Sequence, residues 1–275
     1  MTPPNIAQTL AQLQAQGLER LDAQLLLLHV SSQPAHHRAW LLAHDTDDMS
    51  PQALQVLDAL TARRLQGEPL AYLTGHKEFY GLDLCVDKRV LVPRPDTETL
   101  VDWALEVLKP LTDASVIDLG TGSGAIALAL KATLPNLRVS ALDFSEDALA
   151  VAQANAERLQ LDVTFQQSAW LAQVQGSFSV IVSNPPYIAA QDEHLAALTH
   201  EPLQALASGA DGLDDLRQIV QTAPAHLLPG GWLLLEHGYD QASLVRALLA
   251  ESGFTEIQSR RDLSGIERCS GGRWR

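Results

Sequence analysis

Three short strings in this 275-residue chain place ligand-binding residue types at spacings that chemistry can use. The first is Asp118-Leu119-Gly120-Thr121-Gly122-Ser123-Gly124-Ala125, set between an apolar run and an alanine-rich run. Glycines so placed permit a tight turn, let a ligand approach the backbone, and leave the N–H groups of a helix N-terminus free to receive negative charge. Read as G-x-G-x-x-A, the string also fits a dinucleotide-binding fingerprint; read as a bare glycine-rich turn, it needs no ligand. The second is Asp143, which closes VSALD and can accept hydrogen bonds from both hydroxyls of a ribose. Its competing role is that of a helix N-cap or first-turn acid, with Ser145 and Glu146 nearby. The third is Asn184-Pro185-Pro186-Tyr187, which follows VIVS. Two prolines remove two N–H donors and restrict the backbone, so carbonyls and the Asn184 amide are left to face one small site. Asn184 Oδ1 and the Pro185 carbonyl can each accept one proton of a planar N–H₂ group, while Tyr187 offers its ring face. The bland alternative is a strand stopped by prolines with Tyr187 as packing.

The elements that position these strings follow from periodicity. From Asn5 to about Gly67, apolar residues recur at three and four positions, as in Leu10, Leu13, Leu18, Leu21, Leu25 and Leu28, which predicts a small bundle of four or five short helices. Pro34 and Ser50-Pro51 are expected at helix starts. Gly75 to Val92 alternates around Gly81 as a hairpin would, and Pro93-Arg94-Pro95 leads into an amphipathic helix, Asp96 to about Leu108. Beyond Pro110, strands at 116–119, 137–142, 163–166, 178–182 and 232–236 are interleaved with helices at 125–134, 148–159 and 213–228. Right-handed crossovers and a mostly parallel sheet covered on both faces follow. A last helix, 241–251, precedes two β-like stretches around 254–260 and 267–270 that fit an antiparallel edge.

Composition narrows the chemistry. With 46% hydrophobic and 19% charged residues the chain is too apolar for intrinsic disorder. Its net charge of −14 disfavours polyanionic partners in the absence of a local basic patch. Cys85 and Cys269 are far apart and support neither a disulfide framework nor a thiolate metal site, and a reduced cytoplasmic protein is expected. The first thirty residues carry no basic leader and no apolar run of membrane length, so no targeting or membrane segment is expected. The histidines are scattered: His36-His37 read as a helix surface and His237 as structural, and no metal site is expected.

Together GTGSG, Asp143 and NPPY resemble a class I S-adenosylmethionine-dependent methyltransferase acting on a planar amino nitrogen. The longer strings GEPLAYLTGHKEFYGLDLCVDKRVLVPRPDTETLV, VIDLGTGSGAIALAL, IVSNPPYI, EPLQALASGADGL and GGWLLLEHG resemble the protein-(glutamine-N5) methyltransferases of peptide chain release factors, over about Asp22 to the C-terminus. That resemblance implies an α/β fold: a Rossmann-like seven-stranded methyltransferase sheet (95–275), an N-terminal helical substrate-recognition domain (1–73) and a β-hairpin linker (74–94). It implies methyl transfer from S-adenosylmethionine to the glutamine amide of a Gly-Gly-Gln loop in class 1 release factors, giving S-adenosylhomocysteine, by a protein expected to be a monomer without direct nucleic-acid or membrane contact. Carried over by motif, Gly120, Thr121, Gly122, Ser123 and Gly124 line the methionine and ribose, Asp143 holds the ribose hydroxyls, and Trp170 lies near the adenine. Asn184 borders cofactor and substrate; Asn184, Pro185 and Tyr187 carry catalysis, and Pro186 joins them in holding the glutamine. Where that family commonly has an acidic residue before the tryptophan, this chain has Ala169, which leaves backbone groups or Ser168 to read the adenine.

Other readings use the same residues. A DNA or rRNA amino-group methyltransferase also needs NPPY, although the net charge opposes it. A nicotinamide dehydrogenase would use the glycines and leave NPPY idle. A non-catalytic module would need neither. Arg94 either meets a ligand carboxylate or fixes the linker against Asp96 or Glu98.

Overall fold

The structure is a computed structural model that describes residues 3–275. It divides into two compact units, one ending at His76 and the other running from Lys77 to Arg275.

The first unit holds five helices: α1 (Ile6–Ala15), α2 (Arg20–Val30), α3 (Arg38–Ala43), α4 (Pro51–Leu65) and α5 (Leu70–Thr74). Asn5 starts α1 in a reciprocal cap with Gln8, and Ser50 caps α4 by accepting from Ala53 N with Pro51 in the first turn. Leu13, Leu26, Leu27, Leu41 and Leu57 meet in the buried centre of this unit, where burying a leucine is worth roughly 2 kcal/mol. Pro34 does not start a helix as expected. It lies in a turn, α3 begins four residues later, and His36 and His37 are exposed in that turn rather than on a helix face.

A two-stranded sheet follows, β1 (His76–Phe79) and β2 (Leu82–Cys85), turning at Gly81. A single turn over Pro95–Thr97 leads into α6 (Glu98–Leu108). The chain then alternates through β3 (Ser115–Leu119), α7 (Ala125–Thr133), β4 (Arg138–Asp143), α8 (Glu146–Leu159), β5 (Thr164–Gln167), β6 (Phe178–Ser183), α9 (Asp214–Thr222), β7 (Leu227–Glu236), α10 (Ala242–Glu251), β8 (Thr255–Arg261) and β9 (Glu267–Arg273). Seven strands form one sheet in the order β5-β4-β3-β6-β7-β9-β8, parallel except where β9 pairs antiparallel with β7 and β8. Val116, Val180, Val182, Leu233 and Leu234 are fully or almost fully buried, as a sheet covered on both faces requires.

Two element ends depart from expectation. The helix read as 213–228 is α at 214–222 only, becomes a 3-10 turn at Ala223–His226, and gives way to β7 at Leu227. Pro224 lacks an N–H and its ring clashes with the carbonyl four residues back, which ends the α-helix. Strand β9 runs past Ser270 through Gly271, because a Cβ there would sit 2.6 Å from the Leu233 carbonyl oxygen and only glycine lets the strands close.

Candidate active site

The strand order reverses at β3: the chain moves outward from it through β4 to β5 and then crosses back to β6 on its other side, and a crevice at the carboxyl ends of strands at such a point is where open α/β sheets bind ligands. A cleft of about 280 Å³ lies there. Gly120, Gly122, Asp143, Trp170, Asn184 and Pro186 all line it, as do Ser168, Ala169 and Asp215. Thr121, Ser123, Gly124, Pro185 and Tyr187 do not.

The glycine loop is held from behind. Asp118, fully buried, accepts from the Thr121 hydroxyl at 2.6 Å and from Ala127 N at 3.3 Å. Its other oxygen has no partner, and burial pushes the carboxyl up to about 7. Asn155 of α8 stitches the loop to the hairpin: its amide accepts from Cys85 N at 2.8 Å and donates to the carbonyls of Cys85 and Ser123 at 2.9 and 3.0 Å. Gly120 has φ +69°, and a Cβ on it would lie 3.2 Å from the Trp170 ring. The indole therefore packs directly on the loop backbone.

Asp143 is oriented by two backbone donors, Gly122 N to Oδ2 and Ser145 N to Oδ1, both at 2.9 Å. Burial raises its carboxyl above the usual range. Trp170 sits at φ +49° and donates from Nε1 to Asp215 Oδ1 at 3.0 Å. The Ser168 hydroxyl is spent on backbone, donating to the Trp170 carbonyl at 2.7 Å and accepting from Gln173 N at 3.2 Å. Asp215 is thus the side-chain carboxylate on that wall, which no local pattern in the sequence singled out.

At the other end, the Ser183 hydroxyl donates to the Leu119 carbonyl at 2.7 Å and joins β6 to β3 beneath Asn184. Asn184 donates from Nδ2 to Thr97 Oγ1 at 3.2 Å. Thr97 and Asn184 both lie against the Glu236 carboxylate and favour its charged form, yet burial drives it up to about 7, and its Oε2 has no hydrogen-bond partner. Tyr187 is anchored by its carbonyl, which accepts from Gln241 Nε2 at 3.0 Å, and burial pushes its phenol well above the usual range. Arg94 pairs with neither Asp96 nor Glu98. It reaches Glu201 at 2.5 Å, and the same buried carboxylate accepts from Val92 N at 3.0 Å. Asp96 instead lies 3.5 Å from Arg268, and Glu98 accepts from Tyr80 N. His237 is buried between the Gly238 carbonyl and the Ser270 hydroxyl, away from the cleft lining.

Among the described residues no group of three His, Cys, Asp or Glu is gathered to hold a metal ion, and no helix is long and apolar enough to cross a membrane.

A switch-point cleft with a glycine loop, a strand-end aspartate and an Asn-Pro-Pro-Tyr turn on a seven-stranded sheet is the architecture of a Rossmann-like methyltransferase, and comparison bears out that class. The fold matches a methyltransferase from Pyrococcus furiosus with a TM-score of 0.54 and 21% identity, covering 78% of this chain and 98% of that one. Residues 97–242 match the model of the methyltransferase small domain, and residues 6–75 that of the PrmC N-terminal domain. The chain is 50% identical over 260 residues to the release factor glutamine methyltransferase of Bordetella pertussis (93% of this chain, 95% of the relative). It is 47% identical over 259 residues to that of Pseudomonas aeruginosa (93% and 92%). The chain belongs to the release factor glutamine methyltransferase family.

Proposed function

We propose that this chain transfers a methyl group from S-adenosylmethionine to the side-chain amide nitrogen of the glutamine in the Gly-Gly-Gln loop of class 1 peptide chain release factors. The observation that carries the reading is that Asn184 shares one cleft with Gly120, Gly122 and Asp143. An acceptor for an N–H₂ group therefore sits beside a cradle for an adenosyl ligand. The cradle fits that ligand: Gly120 offers bare backbone, and each Asp143 oxygen takes one N–H while keeping lone pairs for two hydroxyls. In this reading Gly120 to Gly124 surround the methionine and ribose, with Thr121 and Ser123 acting through Asp118 and Asn155. Trp170 flanks the adenine. Asn184 borders both ligands, and Pro185, Pro186 and Tyr187 enclose the glutamine.

When bound, the cofactor supplies a methyl group on a positively charged sulfur. The remaining chemistry is positioning, because an amide nitrogen shares its lone pair with its carbonyl and a general base has little to do before attack. Asn184 Oδ1 and the Pro185 carbonyl accept the two N–H bonds and aim the nitrogen at the methyl, turning a bimolecular displacement into an oriented one. As the N–C bond forms and the C–S bond breaks, positive charge grows on nitrogen, and the same acceptors stabilise it. One N–H proton then leaves to solvent, yielding the N-methylamide and S-adenosylhomocysteine.

The helical region 1–73 is assigned to release-factor contact, 74–94 to the hairpin linker and 95–275 to catalysis, in a monomeric cytoplasmic protein that serves translation termination and binds no nucleic acid or membrane directly. Incubation with labelled S-adenosylmethionine tests the reading: label must enter a purified release factor and be absent from rRNA and duplex DNA. Label on a nucleobase overturns it.

A further inference from the structure

Glu236 is a buried carboxylate, 1% exposed, that the proposed chemistry does not use, and one of its oxygens is left without a partner. Burying an ionisable group so incompletely satisfied costs stability, so its position beside Asn184 asks for a function. Thr97 is equally unusual. It stands at the start of α6, where a threonine ordinarily caps the helix, yet its hydroxyl makes no capping bond. That hydroxyl, on a residue 4% exposed, faces Asn184 and Glu236 instead.

Resting on the function proposed above, we infer that Thr97 and Glu236 are positioning residues that lock the Asn184 carboxamide with its nitrogen toward the protein and its oxygen toward the acceptor glutamine. The logic is donor counting. A hydroxyl has one proton. Asn184 Nδ2 donates to Thr97 Oγ1 at 3.2 Å, so the Thr97 proton must point elsewhere, and the ionised Glu236 carboxylate beside it is the acceptor that draws it. A flipped Asn184 would set its Oδ1 lone pairs against those of Thr97 and against a carboxylate. The ionised chain therefore leaves Oδ1 as the atom presented outward, an acceptor only, which suits a substrate nitrogen carrying two N–H bonds and becoming positive. The negative end of the chain also polarises Asn184 in the direction that favours that charge.

Protonation of Glu236 supplies a second proton to the chain. Thr97 can then accept from Glu236 and donate to Asn184, which admits the flipped amide. The groups facing Glu236 are Arg268 and Cys269 from β9, Asp96 from the turn before α6, and Tyr187 after β6, with His237 next in the chain. Arg268 favours the charged form, while Asp96 and burial oppose it. His237 is held toward its neutral form by burial.

The test compares Thr97→Val, Thr97→Ser and Glu236→Gln in the full chain, with a purified class 1 release factor and S-adenosylmethionine, across pH 5.5 to 9. Thr97→Val is expected to lower kcat about 10²-fold, the size of losing one aligned transition-state contact, with cofactor affinity by titration calorimetry unchanged. Thr97→Ser keeps the hydroxyl and restores most of the rate. In the native chain kcat rises with pH through neutrality, and Glu236→Gln removes that rise. Native rates in Thr97→Val, no rescue by Thr97→Ser, or an unaltered pH profile in Glu236→Gln overturns the inference while the function stands. Failure of the native chain to methylate glutamine overturns the function itself.

Discussion

Replacing Glu236 by glutamine gives the sharpest stability test, because the isosteric change removes a charge and little else. The Glu236 carboxyl is driven from 4.5 up to about 7 by burial. A carboxyl raised on folding contributes stability that is fully present below its unfolded value and is lost as pH rises through its folded value. In the native chain that window is pH 4.5 to about 7, and above it the protein must hold a buried anion. At 1.36 kcal/mol per tenfold change in proton affinity, the full cost is about 3 kcal/mol at pH 8.5 and under about 1 kcal/mol at pH 5. Glu236→Gln abolishes this slope. Its stability relative to the native chain should therefore improve by about 2 to 3 kcal/mol between pH 5 and pH 8.5. Urea unfolding at the two pH values reads the difference. Equal offsets at both pH values would refute the claim that Glu236 is held as a destabilised anion.

Three other perturbations probe the cleft and the structure around it. Asn184→Ala should reduce methyl transfer about 10²-fold or more at saturating cofactor, by removal of an aligned acceptor for the reacting N–H₂ group; initial rates with labelled S-adenosylmethionine check this, and a loss below fivefold speaks against the assigned role. Gly120→Ala places a side chain at φ +69° and a Cβ 3.2 Å from Trp170, at a backbone cost of about 1 to 2 kcal/mol. Melting temperature and S-adenosylmethionine affinity should both fall, and native values for both would contradict the packing of indole on the loop. Arg94→Ala strands Glu201, 3% exposed at its side chain, without its cation. A loss of about 3 kcal/mol is expected, at the low end for a broken buried pair because Arg94 itself is partly exposed, with partial recovery in Arg94→Ala/Glu201→Gln by denaturant unfolding.

The strings GTGSG and NPPY were legible because each encodes a local backbone constraint: glycines where the chain turns tightly under a ligand, prolines where donors are removed. The alternating strands and helices were legible for a similar reason, since periods of 2 and 3.6 are properties of neighbouring residues. Contacts that join distant segments were not. Asn184 meets Thr97 across 87 residues and Arg94 meets Glu201 across 107, and nothing local marks either partner. Sequence alone accordingly offers Arg94 either a ligand carboxylate or its neighbours Asp96 and Glu98, and not Glu201. Asn155 and Asp215 sit on helix faces as ordinary polar residues until the fold carries them to the loop and to Trp170. The overlong reading of α9 has a different origin, since the apolar spacing continues through Leu227 and Leu228 although Pro224 has already ended the α-helix.

Mass spectrometry of a class 1 release factor after incubation with the protein and methyl-labelled S-adenosylmethionine tests the central claim most directly. The expected result is one added methyl group on the side-chain nitrogen of the Gly-Gly-Gln glutamine, absent with Asn184→Ala. A methyl group on another residue, or undiminished labelling with Asn184→Ala, would contradict it.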